Sequence, residues 1–341
     1  MIKSLPYSSA LVTAAPAIVH KESSVACYMS SDFITVSGTM TVNEAKDYFL
    51  SQLQTDEIPT QLFITADDYH LRGMLSVKKL LQCREGERTL GSMMNHTYFH
   101  VSPDDDRNNV AHLLGKGGLD VVPVVVNKTL VGVLGEKEIA RLIEDENTED
   151  AQRQGASLPL DKPYLETSPW SLWRKRSAWL LLLFVAEAYT GNVLKAFEEQ
   201  LEAAIALAFF IPLLIGTGGN SGTQITSTLV RAMALGEVSL RNLGAVISKE
   251  VSTSLLIAIT IGVAAWIRAW IMGVGMDVTL VVSLSLVAIT VWSAIVASII
   301  PMLLKKGGID PAVVSAPFIA TFIDGTGLII YFKIAQAVLG I

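Results

Sequence analysis

Cysteine is scarce in this 341-residue chain. Cys27 and Cys83 share no CxxC or ligand-like spacing and read as reduced, structural thiols, which excludes a disulfide framework. Histidine is nearly as sparse. His20, His70, His96, His100 and His112 all fall in the first half, and none forms a His-Glu-x-x-His set, so a membrane metalloprotease is excluded. Basic excess is also lacking: 26 Lys+Arg face 32 Asp+Glu, which argues against nucleic acid as a partner. The start of the chain carries no basic region followed by an apolar core and a cleavage site, so the first membrane helix is expected to direct insertion.

What is present divides into two unlike halves. Residues 1–170 hold 15 Lys+Arg against 23 Asp+Glu, whereas residues 171–341 hold 11 against 9, most of them between apolar stretches. The mean hydropathy of +0.45 therefore averages a soluble acidic half and a membrane half. Five stretches are long enough to cross a hydrocarbon core, near 176–197, 203–230, 248–270, 278–304 and 312–338, with Glu187 interrupting the first and Pro212 the second. Arg174, Lys175 and Arg176 precede the first stretch; Arg231, Arg241 and Lys249 follow the second; Lys305 and Lys306 follow the fourth. The opposite loops carry more acid than base. This Lys/Arg excess places the soluble half in the cytoplasm and the C-terminus outside, in a multi-pass protein of the plasma (inner) membrane. Trp170, Trp173, Trp179, Trp266 and Trp270 sit near the span ends as interfacial aromatics should.

Residues 23–148 read as two copies of one unit. Tyr28-Met29, Phe33–Val36, Leu62–Ile64 and Leu71–Ser76 are echoed by Met93-Met94, Tyr98–Val101, Val121–Val126 and Leu130–Gly135, with helical patterns at Val42–Leu53 and Val110–Leu114. The pattern resembles a tandem CBS domain, an α/β module that commonly senses ligands and forms dimers. The expected organisation is a short tail at 1–22, the CBS pair at 23–136, a final CBS helix and acidic connecting helix at 137–172, and an all-α transmembrane domain at 173–341. Nucleotide-binding CBS units end in Gly-x-x-Ser/Thr-x-x-Asp, with the acid on a ribose. Here Lys79 follows Gly73 and Ser76 where the acid belongs, and Gly135 replaces the hydroxyl of the second copy, so an adenine nucleotide is disfavoured. The acidic run Glu144–Asp150 then stands between this module and the first span. Carboxylates that repel one another there can be gathered by a divalent ion, which makes the run a candidate gate. Its bland reading is a solvated helix face.

The last span contains Asp324. If that helix starts near Asp310-Pro311, Asp324 lies roughly 21 Å along it, past the bilayer midplane. An ionised carboxylate there costs about 2.5–3.5 kcal/mol on insertion scales, so it should face protein, water or an ion. The second span holds Gly216-Thr-Gly218-Gly219-Asn220-Ser-Gly222-Thr-Gln224, with no Gly-Lys-Ser/Thr of a phosphate cradle. Its glycines either let helices approach closely or expose carbonyls beside the oxygens of Asn220 and Gln224. Glu187, inside the first span, is as open to a packing role as to a pore role. Glu250, beside Lys249 at a cytosolic boundary, reads as an ion pair or interface contact.

These stretches, together with Pro163-Tyr-Leu165, Phe197-Glu-Glu199, Arg231–Gly236, Lys249-Glu250, Asp310-Pro311 and Asp324-Gly-Thr-Gly327, resemble the MgtE family of magnesium channels and transporters over residues 23–341. The resemblance implies a homodimer, joined through its membrane and CBS domains, with five spans per subunit and a pore lined by the second and fifth spans. It implies passive Mg²⁺ influx rather than enzymatic activity, with Co²⁺ as the alternative cargo. It places Asp324 as the pore carboxylate, Asn220 as the pore amide and the Ala320 carbonyl as a further contact to the hydrated ion. Asp310 becomes an acid at the cytosolic end of the fifth span, and Glu146, Glu149 and Asp150 become acids that bind regulatory Mg²⁺. Two departures stand out. About 22 residues precede the CBS pair, where the family has a helical domain, and Arg141 takes a position expected to be acidic.

Overall fold

The computed structural model describes residues 23–53, 58–66, 70–313 and 316–340, and the expected tail at 1–22 lies outside them. The chain separates into two compact units, one ending at Asn147 and the other starting at Thr148.

In the first unit, β1 (Thr35–Ser37) pairs parallel with β2 (Gln61–Thr65), which pairs antiparallel with β3 (Leu71–Ser76). Helix α1 (Val42–Gln52) connects β1 to β2, and α2 (Val77–Gln82) follows β3. Thr41 starts α1 where the sequence changes from extended to helical: its hydroxyl accepts from the Glu44 amide, and the Glu44 carboxylate accepts from the Thr41 amide at 2.9 Å. The second copy repeats the order with α3 (Arg107–Gly117), the hairpin β4 (Val122–Val126) and β5 (Thr129–Leu134), and α4 (Glu136–Gln154). Its first strand, expected at Tyr98–Val101, is reduced to a parallel bridge between Val101 and Val124.

The two copies exchange their leading segments, which simple tandem order does not suggest. Leu90 and Met93 open the second copy yet are buried in the first core beside Val36, Phe49, Ile64 and Leu75. Val25 and Tyr28 open the first copy and are buried in the second core beside Val110, Val124 and Leu134. Glycines make the exchange possible. A Cβ on Gly73 would lie 2.7 Å from the Asn95 carbonyl, and one on Gly132 would lie 2.8 Å from Met29 Sδ. A third cluster, with Phe63, Leu71, Met74, Leu130 and Val133, joins the two sheets.

The second unit contains five helical stretches long and apolar enough to cross a membrane. Ser168 caps α5 (Pro169–Ala196), and Pro169 sits at its first position, where a missing N–H is harmless. After α6 (Glu198–Ala203) and a 3-10 segment (Ile205–Phe210) comes α7 (Ile211–Ala234). Pro212 was expected to interrupt the second span; it lies in the first turn of α7 and begins the helix instead. Then follow α8 (Leu243–Met272), α9 (Met276–Lys306) and α10 (Ala316–Leu339). Helix α9 is the centre of this bundle, packed against α7, α8 and α10. Its buried Ser285, Thr290, Ser293 and Ser298 are small enough for close helix approach. Ser293 Oγ lies 3.0 Å from the Gly218 carbonyl of α7, and Trp292 Nε1 donates to Thr326 Oγ1 of α10 at 2.9 Å. Lys305 Nζ donates to the Met233 carbonyl at the end of α7, and Tyr331 Oη to the Leu207 carbonyl.

Gly73→Ala brings its methyl group against backbone, whereas Gly132→Ala meets a mobile thioether. Thermal unfolding of the detergent-solubilised chain should therefore show a loss of about 1–3 kcal/mol for Gly73→Ala and a smaller one for Gly132→Ala.

Candidate functional site

Asp324 owes its position to where α10 begins. Asp310 does not start that helix. Its Oδ1 accepts from the Ala312 amide at 2.9 Å and closes a separate 3-10 turn at Pro311–Val313. The helix begins at Ala316, after residues 314–315, which lie outside the described residues. Asp324 lies about 12 Å along α10 from Ala316, the first residue of the helix that is described.

Opposite Asp324 stands the glycine face of α7, which is one continuous helix. Of the two readings of these glycines, close helix approach describes Gly218, Gly219 and Gly222. A Cβ at Gly218 would lie 2.7 Å from Ile289 Cγ2 and 3.0 Å from Ile323 Cγ2; one at Gly222 would run into Ile323. At Gly219 it would be 3.3 Å from both Ala320 Cβ and Asp324 Oδ1. The missing side chains bring the α7 backbone against the very turn of α10 that holds Ala320 and Asp324. Asp324 is half-buried there, and its covered Oδ1 has no hydrogen-bond partner among the described residues. A buried carboxylate oxygen without a donor is unfavourable unless water, an ion or another protein surface supplies one.

Beside that contact, every fourth residue of α7 is exposed: Pro212, Gly216, Asn220, Gln224 and Thr228. Residues at this spacing share one helix face. Two amides and a hydroxyl on the exposed stripe of an apolar helix need a polar environment. The structure therefore brings Asp324, Ala320 and the helix carrying Asn220 to one place.

The acids of α4 are placed differently. Glu149 and Asp310 share one cation: Arg153 donates to Glu149 Oε1 and, at 2.6 Å, to Asp310 Oδ2. Glu146 belongs to another network. Its carboxylate receives Arg107 Nε at 2.7 Å and Asn108 Nδ2 at 2.5 Å, and both ends of the ion pair are nearly buried. Arg107 also donates to Tyr28 Oη at 2.8 Å, and that hydroxyl donates to Asp145 Oδ2 at 2.9 Å. Burial by itself would lower the Arg107 guanidinium; the Glu146 carboxylate and the Tyr28 hydroxyl outweigh it and hold the group above the usual arginine range. Arg141, expected as a departure from an acidic position, lies over the Tyr28 ring at 5.7 Å. Asp150 is half-buried on α4. Among the described residues no group of three or more His, Cys, Asp or Glu is arranged to hold a metal ion.

Sequence reasoning did not single out Arg107 or Arg153. The Glu149–Arg153 spacing of four on a helix signals their pair, but nothing local joins Arg107 to Glu146 across 39 residues. Between the CBS copies lies a cavity of about 380 Å³ lined by Ser76, Lys79, Asn95, Tyr98 and Asp120 among others. Lys79 Nζ donates to the Met93 carbonyl at 2.8 Å, so the residue standing where a ribose-binding acid would be is tied to the cavity wall.

Comparison with known proteins agrees with this division. Residues 211–334 match the MgtE family, described as divalent cation transporters, and residues 25–86 and 90–145 match the CBS domain. The magnesium transporter MgtE of Thermus thermophilus is 33% identical over 322 residues, covering 94% of this chain and 71% of that protein. The magnesium transporter MgtE of Enterococcus faecalis is 28% identical over 321 residues, covering 94% and 70%. A crystal structure of the soluble part of a magnesium transporter is 21% identical and covers 38% of this chain and 50% of its own, with a TM-score of 0.35.

The glycine face can be tested without any transport assay. Gly218→Ala should destabilise the solubilised protein by about 1–3 kcal/mol, because two branched isoleucines cannot make room. Gly216→Ala, with no neighbour within 4 Å, should melt close to the parent.

Proposed function

The chain belongs to the MgtE family of magnesium transporters, and from that premise we propose that it passes Mg²⁺ through the membrane along a path where Asp324 meets the hydrated ion. The observation that carries the proposal is the covered, unpartnered Asp324 oxygen facing Gly219 beside the polar stripe of α7. Mg²⁺ keeps six waters in near-octahedral order and gives them up reluctantly. Oxygen acceptors that bond those waters recognise the ion without stripping it. Asp324 supplies the charge, the Ala320 carbonyl and the Asn220 amide supply neutral acceptors, and the glycine contact keeps them on one wall. A homodimer with the Asn220–Gln224–Thr228 stripes turned toward each other encloses an aqueous path and removes those groups from lipid. Two Asp324 carboxylates on that path attract divalent over monovalent cations. The Lys/Arg distribution sets the soluble unit in the cytoplasm and the C-terminus outside.

Regulation follows from the α4 acids. Glu149 and Asp310 are hard oxygen donors already drawn to one cation, so they are the residues that would hold a regulatory Mg²⁺. When bound, the ion supplies positive charge that lets the two carboxylates stay together. Glu146 is engaged by Arg107 and Asn108, and Arg107 would have to release it before it could join them.

In proteoliposomes, Asp324→Asn should abolish Mg²⁺ uptake, and well-folded Asp324→Asn with parental uptake would refute the path. Glu149→Gln combined with Asp310→Asn should raise uptake when Mg²⁺ on the cytoplasmic side is high and leave it unchanged when that Mg²⁺ is low. An unaltered response to cytoplasmic Mg²⁺ would remove these residues from regulation.

A further inference from the structure

Glu187 stands in the apolar run of α5 between Leu180 and Thr190, and its side chain is exposed on the single chain. Helix α5 packs against α10 and approaches it closely at Gly325, where a Cβ would run into the Tyr189 ring and lie 3.3 Å from Thr190 Oγ1. Thr190 is only 5% exposed, and its Oγ1 has no hydrogen-bond partner. Thr226 on α7 is left in the same state. Such a hydroxyl ordinarily bonds the carbonyl four residues back, as Thr290 does with Leu286 at 2.7 Å. On the neighbouring residue of α10, Asp324 Oδ1 is also covered and unpartnered. Two orphaned oxygens thus flank the same turn of α10. Glu187 precedes Thr190 by three residues and shares its helix face.

We infer that Glu187 is a second acid of the cation path, and that with Thr190 and Asp324 it forms an oxygen-lined place for a hydrated divalent cation at the α5–α10 contact. The carboxylates accept hydrogen bonds from the waters of the ion, and Thr190 Oγ1 gains the partner it lacks. Like charges on the two packed helices repel until a divalent ion lies between them, so each acid strengthens the hold of the other on the ion. This inference rests on the reading of Asp324 as the path carboxylate, and the two are separable by experiment.

The full-length protein in liposomes is assayed for Mg²⁺ uptake at graded Mg²⁺, with and without cobalt(III) hexaammine as an inert copy of a hydrated cation. Glu187→Gln should raise the half-saturating Mg²⁺ and weaken the hexaammine block, each about fivefold, the size expected from one unit charge acting on a divalent ion through about 8 Å of water. The maximal rate should change much less, and Glu187→Asp should restore both constants. A Glu187→Gln protein equal to the parent in both constants, beside an inactive Asp324→Asn, overturns the role of Glu187 alone. Parental uptake by Asp324→Asn overturns the path reading itself. If Glu187→Gln folds poorly, Glu187→Cys in a Cys27→Ser, Cys83→Ser background is labelled with a cationic thiosulfonate. Labelling slowed by cobalt(III) hexaammine supports the site; labelling unaffected by it, or absent, overturns it.

Discussion

A carboxylate within the apolar layer of a membrane constrains everything around it, because hydrocarbon offers it no hydrogen bond. In this chain the answer begins with side chains that are missing. Gly218, Gly219 and Gly222 let the α7 backbone lie against Ala320, Ile323 and Asp324, and α9 holds the arrangement from behind. Ser293 reaches from α9 to the Gly218 carbonyl, and Trp292 reaches from α9 to Thr326, two residues from Asp324 with its orphaned oxygen. The hydroxyl-rich interior of α9 therefore supports this arrangement. Its small residues fix the distance between α7 and α10.

Much of this was legible in the sequence, for reasons that particular residues make clear. Apolar length alone located five spans, since hydropathy over some twenty residues is a strong signal. Asp324 stood out because a charge in such a run has few explanations. Helix starts were harder to read. Asp310-Pro311 and Pro212 carry the same local signal, a proline that can open a helix, yet one opens a capped 3-10 turn and the other opens α7. Among the two readings of the glycine-rich stretch, close packing describes Gly218, Gly219 and Gly222, while the polar stripe sits on the adjoining face. Periodicity of four separates the two faces and is visible without a structure.

What the sequence did not carry was long-range pairing. The CBS copies read as consecutive units, but each gives its opening segment to the core of the other, so Met93 belongs with Phe49 and Val25 with Leu134. No local propensity encodes that exchange. Gly73 and Gly132 are its only trace, at matching positions where each copy admits a methionine from its partner copy. The Arg107–Glu146 pair is hidden for the same reason: each residue alone looks like an ordinary surface charge.

The acids of the chain divide by how they are answered. Glu146 has its own guanidinium partner, while Glu149 and Asp310 share one, so their charge is compensated fully in the first case and by half in the second, and a mobile cation gains less by approaching them. Asp324 has no such partner for its covered oxygen, so an arriving cation gains the full interaction. A path that relied on compensated acids would bind ions weakly at every point, and a switch that relied on uncompensated ones would be occupied at any ion concentration. Under the proposed function, fixed cations beside Glu146, Glu149 and Asp310, and none among the described residues beside the covered oxygen of Asp324, would give the two regions different thresholds for the same ion. The threshold of the proposed switch would then be set by how firmly Arg153 holds its two carboxylates. It can shift through changes at Arg153 that leave α7 and α10 untouched.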